Sequence, residues 1–251
     1  MLDDVLLPHL DAGAILEVYR SAPGNEVDSG KIASAESSSA LVANGFGFFL
    51  RTPELLPPLP GVGAAWPARS MKLEGVARFP WAGGRHPCLD VLVDTPDAVV
   101  GIESKRYEPF RSHGAPSLSE AYWRPVWGDR MRGFERVRDG LRDASLTFEH
   151  LDAAQLVKHG FGLRTAGARA RKRATLLYLF CEPPTWPDGR AVTAAAHARH
   201  RREIDLFATA VAGDEVDFVH GTWRDVIAIW AAADHDAVRG HATAMLGHFA
   251  M

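Results

Sequence analysis

The chain is predicted to be an α/β protein. Three strand-like segments follow one another between residues 71 and 105, helical periodicity flanks them on both sides, and Ala174 to Pro183 is a continuous apolar run. A run of that kind suits a strand buried on both faces, whereas alternation suits strands with one wet face.

The elements follow in order. Asp3 to Tyr19 carries apolar residues at helical spacing, and the polar connector GNEVDSGKIASAE leads into a second helix from about Ala33 to Phe49. Arg51 to Ser70 holds five prolines and two glycines, which predicts a surface loop. Met71 to Phe79, Pro87 to Asp94 and Ala98 to Lys105 are the three strands, and DTPD between the last two supplies the turn of an antiparallel hairpin. Val126 to Asp143, with Met131, Phe134, Val137 and Leu141 on one face, and Leu151 to about Leu163 are helices. After the Ala174 strand come a helix at Thr193 to Val211, a short strand at Val216 to Val219 and a largely helical segment from Trp223 onward. No internal repeat or second domain is visible, so residues 1–251 read as one domain.

Composition narrows the class. The longest apolar stretch near the N-terminus, ALVANGFGFFL, is about half the roughly 20 residues that a spanning helix needs, and the opening MLDDVLLPHLDAG lacks the basic start of a signal peptide. No membrane partner and a cytoplasmic location are therefore expected. Cys88 and Cys181 lie far apart in apolar runs, outside any zinc-like spacing, and read as core residues. The net charge of −3 argues against a polyanion partner until its distribution is seen. Between Gly101 and Thr175 there are 15 Lys and Arg against 9 Asp and Glu. Arg130, Arg132, Arg136, Arg138 and Arg142 suit the solvated face of a helix, and RARKR, Arg169 to Arg173, is the better candidate for phosphate contacts.

Strand three ends in Glu103-Ser104-Lys105, an acid and a base two residues apart where an apolar strand finishes. Period-two alternation puts Glu103 and Lys105 on one face. With a bend in the hairpin, Asp90 of strand two converges on Glu103. Two close carboxylates repel unless a cation lies between them, and hard oxygen ligands favour Mg²⁺ or Mn²⁺ over zinc. An ammonium beside them can orient a water and steady the charge of a phosphate under attack.

Asp90, twelve intervening residues and Glu103-Ser104-Lys105 resemble the motif of the PD-(D/E)XK phosphodiesterase superfamily. GGRHPCLDVLV followed by VVGIESK, with the upstream AESSSALVANGF, is similar to a bacterial branch of restriction-endonuclease-like proteins. Leu89 stands where that family usually has proline. The resemblance implies a three-layer core in the order αβββαβ, a mixed central sheet flanked by helices, over about residues 33–183, with a helical elaboration over about 190–251. It assigns metal binding to Asp90 and Glu103, with Ser104 inside the tripeptide and Glu36 at the start of the preceding helix as further candidates. Lys105 assists the nucleophilic water, and Gln155 reaches the site from the helix between strands three and four. Lys158 follows Gln155 within one turn and joins Arg169, Lys172 and Arg173 as an expected nucleic-acid contact; Arg169, Lys172 and Arg173, or the basic helix after Val126, are expected to border the groove that holds the metal, and His159 reads as packing or a phosphate contact.

The expected function is therefore a Mg²⁺- or Mn²⁺-dependent nuclease acting on nucleic acid, DNA first, with a homodimer that pairs two sites as one expected assembly. Two alternatives stand beside it: an inactive nucleic-acid-binding module of the same fold, and an α/β protein that binds a small acidic ligand or a protein partner.

Overall fold

A computed structural model describes residues 5–23, 26–111 and 118–249. Its centre is a five-stranded mixed sheet in the spatial order of the sequence: β1 (Ser70–Val76), β2 (Cys88–Asp94), β3 (Ala98–Lys105), β4 (Arg173–Phe180) and β5 (Val216–Thr222). The first three strands pair antiparallel, and β4 and β5 then add parallel to β3. The turn between β2 and β3 is held by Thr95, whose N–H donates to the Ala98 carbonyl at 2.9 Å and whose hydroxyl accepts from Ala98 N–H at 3.0 Å. β3 and β4 carry near-continuous burial, as expected for strands covered on both faces.

Two buried clusters lie on opposite faces of the sheet. One joins α1 (Ala12–Ser21), α2 (Ser38–Gly47), α6 (Trp223–Ala231) and α7 (Asp236–His248) to residues such as Val91, Val100 and Leu177. The other joins α3 (Arg132–Arg142), α4 (Ala153–Ala170) and α5 (Ala194–Val211) to Leu89, Leu176 and Tyr178. The result is helices, sheet, helices, each layer burying one apolar face. Among the described residues no helix is long and apolar enough to cross a membrane, and both cysteines are free.

Two expectations need correction, and the proline-rich segment, a surface loop as expected, is anchored to the core. The second helix starts at Ser38, not near Ala33: Ser37 caps it by accepting from Ala40 N–H, which leaves Glu36 in the turn before the cap. The proline-rich segment is packed, because Leu56 and Leu59 are buried against the first cluster and the Trp66 indole N–H donates to the Leu56 carbonyl. The segment after residue 190 is more than a helical elaboration. Its β5 pairs along β4 from Val216 to Thr222, and its Trp223, Trp230 and Met245 share one cluster with Phe46.

α4 lies unusually close to the sheet. A Cβ on Gly101 of β3 would come within 2.7 Å of Leu163, and one on Gly160 would strike the Phe134 ring. The missing side chain of Gly101 sets how closely α4 seats on β3, and that of Gly160 how closely α3 packs on α4.

Candidate active site

β2 and β3 pair in register as far as Val91 and Ile102, and beyond that point the ladder stops. There the Asp90 side chain replaces the missing strand partner: its Oδ2 accepts from Ser104 N–H at 2.6 Å. This is the bend that the hairpin requires if its two acids are to converge. Glu103 and Lys105 share a face of β3, and Lys105 Nζ lies 2.5 Å from Glu103 Oε1. Glu103 is 2% exposed, and the other oxygen of its carboxylate, Oε2, lies 3.3 Å from Nδ1 of the buried His159 on α4.

Asp90, Glu103 and Lys105 open onto one cavity of about 480 Å³ at this end of the sheet. Glu26, Glu36, Glu74 and Glu108 also line it, against Lys31, Lys105 and Arg111 on the positive side. Carboxylates therefore outnumber cations in a partly desolvated space. The consequences appear in the acid–base chemistry. Burial and the Glu103 charge push the Asp90 carboxyl well up, with Lys105 and the Ser104 N–H opposing. Burial raises Glu103 too, against the pull of Lys105. Glu74 is pushed up to about 7, chiefly by burial and then by Asp90. Lys105 is held charged by Glu103, Asp90 and Glu108 in spite of its own burial, and burial drives His159 down to about 3, so its ring is neutral.

The remaining candidates divide. Gln155, in the first turn of α4, lines the cavity. Glu36 also lines it, from the turn before α2, and its carboxylate is paired with Arg111. The Ser104 side chain turns to the opposite face of β3, where its Oγ accepts from the buried Trp223 indole N–H at 2.9 Å; the main chain of Ser104 is the part that touches Asp90. Lys158 is half-buried on α4 beside His159, whose charge it disfavours, and it does not line the cavity.

The expectation that the basic cluster borders the groove is corrected. Arg173 pairs with Ala98, at the far end of β3 from Lys105. Seven residues of strand separate them, roughly 23 Å. These side chains are also engaged in holding the fold: Arg169 donates to the Arg78 and Phe79 carbonyls, Lys172 to Asp94 and the Thr95 carbonyl, and Arg173 to Asp97 and the Gly63 carbonyl. On α3, Arg138 is buried and bonds the Tyr122 carbonyl, and Arg142 stacks on Trp123.

Two cavity residues escaped the sequence reading. Glu108 accepts from Ser38 Oγ through one oxygen and from Arg106 N–H through the other, so it ties α2 to the end of β3. Glu74 sits in β1 between Leu73 and Gly75, which pair with Val91 and Leu89, and so stands opposite Asp90. Its φ of 49° is a left-handed conformation that non-glycine residues rarely hold inside a strand. The acid inside MKLEGV, directly before a glycine, was the available sign of an irregular strand position.

No family model, curated protein or solved structure matches this chain.

Chemically, the cavity presents carboxylate oxygens, the ligand type that a hard cation takes. Among the described residues no three His, Cys, Asp or Glu side chains are grouped to hold one ion. Mg²⁺, however, commonly takes one or two carboxylates and fills its other positions with water and substrate phosphate oxygens. Asp90 and Glu103 supply two such carboxylates, and burial raises the pKa of both while the Lys105 ammonium opposes.

Proposed function

We propose that this protein is a Mg²⁺- or Mn²⁺-dependent nuclease of the restriction-endonuclease-like type that hydrolyses phosphodiester bonds, DNA being the first substrate to test. The observation that carries the reading is the convergence of Asp90, Glu103 and Lys105 on one cavity at the point where β2 and β3 part. The element order α2, β1, β2, β3, α3, α4, β4 supports it as well, since it follows the αβββαβ order that the motif implies with α3 as an added helix before α4.

The residues divide the work. Asp90 and Glu103 would hold the cation, which when bound supplies a Lewis acid and an activated water. Lys105 enters as an ammonium already charged and already oriented by Glu103, so it can stabilise the negative charge that grows on the phosphate without reorganising. An excess of carboxylates repels a phosphodiester from the empty cavity. Cation and substrate are therefore expected to bind cooperatively, each lowering the cost of the other.

The test is incubation of the purified protein with supercoiled plasmid, single-stranded DNA and RNA, each with Mg²⁺, Mn²⁺ or chelator. Cleavage that needs the metal and disappears in Asp90→Ala supports the reading. Salt-sensitive binding without cleavage would favour the inactive nucleic-acid-binding module instead.

A further inference from the structure

His159 is a buried polar residue that the catalytic trio leaves unexplained. It is 3% exposed, sits in the second turn of α4, and its Nδ1 is shielded from solvent without a completed hydrogen bond. The polar group it approaches is Glu103 Oε2, at 3.3 Å. Glu103 is thus approached from two sides, by Lys105 at Oε1 and by the His159 ring at Oε2. α4 seats closely on β3, since a Cβ on Gly101 would come within 2.7 Å of Leu163, and this seating brings the ring to Glu103.

A buried imidazole that is neutral carries one N–H. With a proton on Nδ1, the N–H is not aligned with Oε2 at 3.3 Å, and a rotation of the ring or of the carboxylate completes the bond. A carboxylate that must bind a cation through one oxygen gains from having the other oxygen held, because the free rotation of its side chain is then lost before binding and not during it.

We propose that His159 is a positioning residue, an Nδ1–H donor that orients the Glu103 carboxylate for metal. This rests on the reading of Glu103 as a metal ligand given above. It departs from the expectation that the ring serves for packing or phosphate contact.

The experiment compares Mn²⁺ affinity, by calorimetry, and plasmid cleavage for wild type, His159→Phe, His159→Asn and His159→Gln, each first shown to fold by its thermal melt. Asn places an amide N–H close to where Nδ1 stands, and Gln places it about where Nε2 stands. His159→Phe and His159→Gln are expected to lose about 10- to 100-fold in Mn²⁺ affinity, and His159→Asn to recover most of it. A folded His159→Phe with wild-type affinity overturns the inference, and so does His159→Asn performing no better than His159→Gln. The second comparison stands even where the Phe variant does not fold. Wild-type protein that binds no Mn²⁺ overturns the nuclease reading and this inference together, whereas wild-type binding with unchanged variants overturns the inference alone.

Discussion

Lys105 Nζ lies 2.5 Å from Glu103 Oε1, an ion pair between two residues of one strand with the acid buried and the base nearly so. Strand alternation makes the contact possible, and burial makes it matter, because neither charge is well solvated. Lys105→Ala leaves Glu103 buried without its cation. The metal-free variant is expected to melt lower, with a loss of up to about 3–5 kcal/mol, and saturating Mn²⁺ is expected to restore part of that. Cleavage at saturating metal should fall by about 10²- to 10³-fold while metal binding persists. Asp90→Ala should fail earlier, at metal binding. Calorimetry beside a plasmid assay separates the two variants, and identical defects in both would dissolve the proposed division of labour.

Glu74 contributes to a pH dependence of stability, in the same direction as Asp90 and Glu103. Its folded-state pKa of about 7 stands above the ordinary value of 4.5, so the folded chain holds a proton that the unfolded chain has lost. The associated stability is present below about pH 4.5 and is lost as the pH rises towards 7. Metal-free wild type should therefore lose stability over that window. Glu74→Gln, neutral throughout, should flatten the loss by up to about 3 kcal/mol. Denaturant titrations at pH 5 and pH 7.5 without metal measure it, and parallel curves for the two proteins would rule Glu74 out as the source.

Ser104 is assigned to the helical layer behind the sheet. Ser104→Ala removes the acceptor of the Trp223 indole N–H, which lies in a buried environment. A cost of about 1–3 kcal/mol is expected, with Mn²⁺ affinity unchanged. A large drop in affinity with no loss of stability would place the side chain in the site after all.

Lys172 is expected to act on the fold. Lys172→Ala removes the half-buried pair with Asp94 and the bond to the Thr95 carbonyl at the β2–β3 turn. Chemical denaturation should show reduced stability, while the salt slope of DNA binding stays the same. A shallower slope at unchanged stability would return this residue to the nucleic-acid interface.

Much of the architecture was legible in the residues themselves. β3 runs over Ala98 to Lys105 as its apolar pattern predicted, and β4 begins at Arg173, one residue ahead of the predicted run. These are local properties: alternation, continuous burial and turn residues act within a few positions, and the sequence displays them directly. The charges of Asp90, Glu103 and Lys105 were equally visible, because an acid or base within an apolar strand run costs free energy unless it is paired.

What stayed hidden depended on contacts between distant segments. Glu74 became a cavity residue only because β1 aligns it with Asp90, and Glu108 because a loop carries it to Ser38. The basic run from Arg169 to Arg173 looked like a phosphate surface by composition. Tertiary structure placed it at the far end of the sheet and gave the charges of Arg169, Lys172 and Arg173 to backbone carbonyls and aspartates. His159 shows the same limit from the other side, since its helical position was predictable and its neighbour across the layer was not. Charge and periodicity are written along the chain, whereas the partner that gives each charge its role is set by how the layers pack.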